Sequence, residues 1–398
     1  MTATPPVPAV TRPALWLMML CSFCGTLAMH MLVPALPEAG RALQAGAATM
    51  QMTVSLYMAG LAIGQLFYGP LSDRFGRRPV LLAGLGVYSL GGLAATLAPS
   101  AGMLIGARLV QALGGCAGLA LTRAMVRDTT PMEEAASRLA LLNMVVAVGP
   151  AAAPLLGGFL AEWLGWRWVL ATTLALGVTA LVAAFWRLPE TRPPGGANTS
   201  PSLRDYGQLL RSPVFLGFTI GGGCATTSMY AFLAASPFIV VEQMHRPVHE
   251  LGLYYLLLVG GTSFGNLLAA RLVRPMGSGR LLLAGSLLGL SGALMLLGAA
   301  LSGHLLVPLV VGPMLLFTIG VGIASPVALT RAVSVNPRLI GSASGLYGFS
   351  QMAVGAVCTS LAGLGTNPAL SSAVVLTGAS LLGLVCFLTA LRSRPAGA

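Results

Sequence analysis

About a dozen apolar runs, each close to twenty residues long, follow one another along this chain with short polar intervals between them. No other feature limits the fold as much. A run of that length crosses a ~30 Å hydrocarbon layer as a single helix. Helices and closed barrels are the only structures whose backbone groups are satisfied in lipid. The runs lie near residues 14–34, 50–70, 79–98, 103–125, 139–160 and 166–186, then 214–240, 252–273, 281–301, 305–329, 340–364 and 369–391. The spacing predicts an all-α polytopic membrane protein with twelve transmembrane helices in two six-helix halves. The longest polar interval, 188–212, divides six runs from six and contains Pro193, Pro194, Gly195 and Gly196, a linker pattern. The expected units are therefore 1–188, a linker 189–212 and 213–398. Within the linker, Ser202 and Asp205 read as a capped helix start. Leu203, Tyr206, Leu209 and Leu210 would share the apolar face of a short interfacial helix.

Composition agrees. Hydrophobic residues make up 56% of the chain and charged residues 8%, against about a quarter charged in soluble domains. A soluble chain of this length would need a polar surface that this one lacks. The net charge of +12 is carried entirely by arginine. The arginines are scattered between apolar runs and do not form one basic module, so nucleic acid is not an expected partner. The bilayer is. Residues 1–13 are proline-rich, and run 14–34 is longer than a signal-peptide core, so it reads as a retained first span. All six cysteines fall within runs and read as small packing residues. No phosphate-binding loop, nucleotide motif or metal cluster is visible, so neither an enzyme nor a cofactor is expected.

Arginine placement orients the chain. With both termini cytoplasmic, eighteen of the 22 arginines face the cytoplasm, only Arg41, Arg167 and Arg246 face outward, and Arg108 lies within a run. That is the positive-inside bias. All ten acids lie in loops or at span ends, and only His30 and Arg108 are ionisable groups well inside a span. Each is sixteen residues from its cytoplasmic end, which places both at a similar depth of about 24 Å. Intramembrane charges face a partner or a cavity and mark function.

Several motifs narrow the reading. Between the second and third runs stand Gly69-Pro70-Leu71-Ser72-Asp73-Arg74-Phe75-Gly76-Arg77-Arg78, and 265–280 is a degenerate echo after the eighth run. The first segment resembles the loop signature of the major facilitator superfamily. Arg108-Leu109-Val110-Gln111 with Gly114 and Gly115 resembles that family's fourth-helix motif. Gly149-Pro150 followed by Pro154, Gly157 and Gly158 resembles the fifth-helix motif of its antiporters. Ser55-Leu56-Tyr57 with Gly64-Gln65, and Ser236-Pro237-Phe238, are similar to the bicyclomycin/chloramphenicol-resistance branch of drug–proton antiporters.

The resemblance implies two halves around a midplane site, alternating access, and no catalysis. It implies a cytoplasmic gate built from Gly69, Asp73, Arg74, Gly76, Arg77, Arg78 and Asp128. Asp73 would accept hydrogen bonds from the helix start near residue 340 in the other half. Arg77 and Arg78 would pair with Asp128, Glu133 or Glu134, or else only enforce topology. The fifth-helix prolines and glycines would either pack helices closely or seal the halves against leak. His30 and Arg108 are the implied proton-coupling pair, with one departure. The branch usually has aspartate where His30 stands, in Met29-His30-Met31-Leu32-Val33-Pro34. Aspartate would attract Arg108; protonated histidine repels it, by about 2 kcal/mol at ~8 Å and an effective dielectric near ~20.

Helical spacing puts Phe23, Thr26 and Leu27 on the His30 face. Tyr57, Met58, Gln65, Gln111, Met229, Tyr230, Phe238, Tyr254, Tyr255, Tyr347 and Gln351 complete the candidate cavity. Aromatic and methionine side chains suit small lipophilic substrates. The expected function is proton-linked export of such compounds (multidrug or phenicol-type efflux) by a monomer in the bacterial inner membrane. A metabolite carrier and a non-transporting sensor are the alternatives.

Overall fold

The computed structural model describes residues 12–191, 203–336 and 339–393. Among them there is no strand. The first half contains α1 (Leu15–Met31), α2 (Leu36–Ala42), α3 (Ala47–Phe75), α4 (Arg77–Thr96), α5 (Ala101–Thr129), α6 (Met132–Leu164) and α7 (Trp166–Arg187). A linker helix α8 (Leu203–Leu210) precedes the second half. That half contains α9 (Pro213–Thr226), α10 (Met229–Phe238), α11 (Glu250–Met276), α12 (Ser278–Ser302), α13 (Val307–Val333), α14 (Ile340–Gly363) and α15 (Pro368–Arg392). Ten helical stretches are long and apolar enough to cross a membrane. The remaining long helices, α6 and α14, bring the total to twelve.

Two spans are broken. The first is α1 and α2 joined by a 3-10 turn, Val33–Ala35, where Pro34 removes a backbone donor. The seventh is α9 and α10 followed by a π-helical turn, Ile239–Gln243. Its break at Thr227 and Ser228 contains no proline. There the hydroxyls of Thr226 and Thr227 donate to Gly222 O and Gly223 O four residues back, at 2.5 and 2.8 Å. Such back-bonding bends helices.

Within each half, neighbouring spans pack tightly, α4 on α5 and α12 on α13 above all. Without water to expel, this packing rests on close van der Waals approach. A β-carbon on Gly157 would lie 1.9 Å from Met31 O, so α6 is pressed against the first span at a point where only glycine fits. The halves meet along α3 and α14, α6 and α11, and the first and seventh spans.

The signature segment is not the loop its charges suggested. α3 continues through Pro70 to Phe75 and α4 starts at Arg77, so Gly76 alone separates two helices. Gly76 has φ +98° and ψ 153°, a region reserved for glycine. Gly277, between α11 and α12, repeats the turn with φ +78° and ψ 147°. The linker helix also differs from expectation. Leu209 is buried against α14 and α9 of the second half, whereas Leu210 is 49% exposed; the side chain of Leu203 lies outside the described residues.

Candidate transport site

The first span supplies the site's acceptors. Tyr57 on α3 donates to Gly25 O at 2.9 Å, and Tyr88 on α4 donates to Cys24 O at 3.2 Å. Arg108 on α5 donates through one terminal nitrogen to Ala28 O and through the other to Gln111 Oε1, both at 2.7 Å. Its guanidinium lies over the Tyr57 ring, 4.1 Å from the centroid. Such a desolvated cation–π contact contributes about 2 kcal/mol. Arg108 is fully buried, its Nε has no partner, and no carboxylate pairs with it among the described residues. Dipoles and a π face therefore hold a whole positive charge, and the Nε–H remains unsatisfied.

His30 follows two residues after Ala28. It is 3% exposed. Its Nδ1 lies 2.8 Å from Thr26 O. A carbonyl oxygen only accepts, so Nδ1 carries the proton and Nε2 presents a lone pair. That lone pair faces the hydroxyl of Tyr230 in the opposite half, 3.5 Å away, with ring centroids 5.9 Å apart. His30 thus stands where the first and seventh spans meet.

Other candidates meet across the same interface. A β-carbon on Gly348 would lie 2.2 Å from Gln65 Oε1, and one on Gly355 would lie 2.1 Å from the Met58 methyl. Gln351 Nε2 donates to Thr226 Oγ1 at 3.0 Å and to the Tyr347 hydroxyl at 3.2 Å. Gln351 O accepts from Thr227 at 2.8 Å, which ties the broken seventh span to α14. Phe23 and Met229 are partly buried against the core, Leu27 lies within it, and Thr26 bonds the Phe23 carbonyl.

Two aromatic candidates, Tyr254 and Tyr255, border a cavity within the second half. Tyr254 donates to Glu250 one turn earlier. Tyr255 bonds Ser236 at 2.5 Å and Leu233 O at 3.1 Å. With Phe232 and Met314 they border an apolar cavity of about 10 Å³ inside the second half, room for a single water. Phe238 is 2% exposed and belongs to the packed core. Helical spacing marks which residues share a face, not which face the opposite half covers.

The ionic corner lies at the other end of α3. Asp73 pairs with Arg77 at 2.6 Å, and Arg77 Nε with Asp128 at 2.9 Å. Arg78 does not join them: its guanidinium donates to Phe185 O at 2.8 Å and lies over the Phe185 ring. Glu134 pairs with Arg12, and the side chain of Glu133 lies outside the described residues. So do the side chains at 340–341, where Asp73 was expected to find its partner. Arg74 lies over Phe75, 5.1 Å from the ring centroid. Around Gly69 a β-carbon would meet nothing within 4 Å, so in this state no helix needs its missing side chain.

The fifth-helix motif faces two ways. Gly149 packs on Thr26 of the first span, and a β-carbon on Gly158 would lie 3.7 Å from Val248 O of the second half. Pro154 is buried and Pro150 is half-buried between them.

Sequence reasoning missed three features. Glu190 accepts from the backbone N–H groups of Arg77 and Arg78 at 3.0 and 3.2 Å and so caps α4. Tyr88 props the first span. At the arginine-poor end, Glu162 of α6 lies 3.1 Å from His249 beside α11, joining the halves. The conspicuous Leu188-Pro189-Glu190-Thr191 string was the one available pointer to Glu190.

These features define a polytopic transporter. Residues 18–359 match the Major Facilitator Superfamily. The chain belongs to that family. It is 33% identical over 329 residues to a chloramphenicol resistance protein of Pseudomonas aeruginosa, covering 81% of this chain and 77% of the relative. It is 30% identical over 372 residues to multidrug resistance protein D of Escherichia coli, covering 92% and 90%. Among solved structures, a bacterial homolog of the human lysosomal transporter Spinster, in an inward-facing and occupied conformation, superposes with a TM-score of 0.76 at 14% identity over 96% of each chain.

Proposed function

We propose that this chain exports small lipophilic compounds, uncharged ones foremost, in exchange for protons by alternating access. It works as a monomer in the bacterial cytoplasmic membrane with both termini inside. Residues 1–188 and 213–398 are the two rocking halves and 189–212 the linker. The observation that carries this reading is a buried Arg108 and His30 beside the junction of the halves, with no carboxylate paired to either among the described residues. A cation entering there would lose hydration and meet a like charge, at several kcal/mol. A neutral amphiphile avoids that and can accept from the free Arg108 Nε–H. The drug-resistance relatives support the substrate class.

His30 is the proton carrier in this reading. The Asp73–Arg77–Asp128 cluster stabilises one end state of the cytoplasmic side, and Gly157 and Gly158 keep α6 close to both partners when the halves rock. The test uses everted vesicles from a drug-sensitive bacterium. Adding a phenicol-type compound to energised vesicles should release protons, and a protonophore should abolish drug accumulation. Accumulation insensitive to the protonophore would favour a facilitated carrier instead.

A further inference from the structure

We infer that Tyr230 is the positioning residue through which a proton on His30 Nε2 acts on the second half, by tethering the upper segment of the broken seventh span. The inference deepens the proton-exchange reading above and rests on it.

Three observations converge. The bond from His30 Nδ1–H to Thr26 O fixes the tautomer, so the only free proton-accepting atom of the ring is Nε2. That atom faces the Tyr230 hydroxyl, a residue of the other half, and the tilted rings are in contact. Tyr230 lies in the first turn of α10, two residues beyond the break at Ser228. The break itself has the marks of a hinge. Thr227 both back-bonds Gly223 O and donates to Gln351 O of α14, while the Ser228 hydroxyl is buried without a partner. A buried, unsatisfied hydroxyl calls for an explanation, and a second state in which it is paired provides one.

The step is a proton transfer without redox chemistry. A proton arriving from water forms an N–H bond at Nε2 using the ring's lone pair. His30 becomes an imidazolium with two donors. The hydrogen bond from the Tyr230 hydroxyl to Nε2 is lost, because Nε2 can no longer accept. Tyr230 keeps its own proton and must turn its oxygen toward the new N–H or withdraw. Either movement shifts α10 relative to α9 about Ser228. Arg108 on α5 acts on His30 electrostatically, Tyr57 lies behind it under the guanidinium, and Tyr230 faces it from α10. No carboxylate among the described residues compensates the added charge, so the imidazolium is held only while the rearranged state lasts. Deprotonation reverses the sequence.

The experiment has two arms. In the first, histidine is labelled with ¹⁵N in the full-length protein and the His30 resonances are assigned by difference from His30→Gln. The expected spectrum at neutral pH shows a protonated Nδ1 and an accepting Nε2, with only the Nε2 resonance displaced in Tyr230→Phe. A protonated Nε2 in the parent would overturn the inference, and this readout does not depend on transport. In the second arm, Tyr230→Phe keeps the ring contact and removes the hydroxyl. At saturating substrate, substrate-driven proton release should fall at least about tenfold. Parent-like proton release from Tyr230→Phe would also overturn it. A parent that releases no protons at all would defeat the export reading, while the spectra would still report on the pair.

Discussion

The turn between α3 and α4 and the turn between α11 and α12 occupy equivalent places in the two halves, and they agree in backbone and differ in charge. Each is a single glycine that ends one helix and starts the next, with φ +98° at Gly76 and φ +78° at Gly277. Around Gly76 two aspartates clamp Arg77 and a glutamate caps α4. Around Gly277 neither Arg274, Arg280 nor Arg331 forms an ion pair among the described residues, and the span following α12 contributes Arg331, whose Nε donates to Ser278 at 3.0 Å. The turn therefore needs the glycine and not the charges. Topology needs arginines and not acids. The aspartates at the first turn are left for another task, which in the proposed reading is holding one end state of the transport cycle.

The comparison can be broken by mutation, and the effects should fall in order. The largest is on transport. Arg77→Ala, or Asp73→Asn, should cut export at least about tenfold at equal membrane abundance, whereas Arg331→Ala should stay within about twofold of the parent. Equal losses at the two turns, measured as efflux from intact cells, would remove the functional distinction between them.

Next comes stability. Gly76→Ala and Gly277→Ala both force a side chain into a backbone region that costs about 1–3 kcal/mol. Only at Gly76 does the new β-carbon also meet a neighbour, 2.7 Å from Glu190 Oε2. Displacing that cap should add about 1 kcal/mol. Thermal unfolding in detergent should rank Gly76→Ala below Gly277→Ala, and the reverse ranking would show that the cap is idle.

The smallest effect belongs to Glu190→Gln. It keeps an acceptor for Arg77 N–H and loses the second acceptor, for Arg78 N–H, together with the charge at the helix start, about 1 kcal/mol in all. Its unfolding temperature should drop slightly and the drop should shrink in high salt. A salt-independent drop would mean that Glu190 acts through its hydrogen bonds alone and that its charge is idle.

The two turns also show how far the sequence could be read. The count of spans, the two halves, the glycine echo at residue 277 and the singularity of His30 and Arg108 were all legible, because each follows from apolar run length or from one residue out of place. The helical state of 69–75 was not. Charges near the membrane surface read as loop, yet a helix accommodates them in its last turn, where Asp73 pairs with Arg77, which also holds Asp128. The partners themselves were illegible: Glu190 is 113 positions from Arg77 and Tyr230 is 200 from His30. A single sequence carries no record of such pairings. The break in the seventh span was hidden for a similar reason. It is made by threonine hydroxyls and a carbonyl on α14, not by a proline. Tyr254 and Tyr255 shared the right composition with the cavity candidates but border a cavity within their own half, a distinction that only packing makes.

His30 extends the contrast from the turns to the site. Removing it as His30→Ala should abolish proton-driven export while leaving substrate binding, and concentrative export that still collapses with a protonophore would put the coupling group elsewhere. In the proposed reading, a site with Arg108 and His30 and no acid within a span favours uncharged substrates. The direct measurement is competitive efflux of a neutral phenicol-type compound and a permanently cationic dye by the parent and by His30→Asp. The parent should prefer the neutral compound, and the mutant should gain export of the cation. Efficient export of the cation by the parent would contradict that reading.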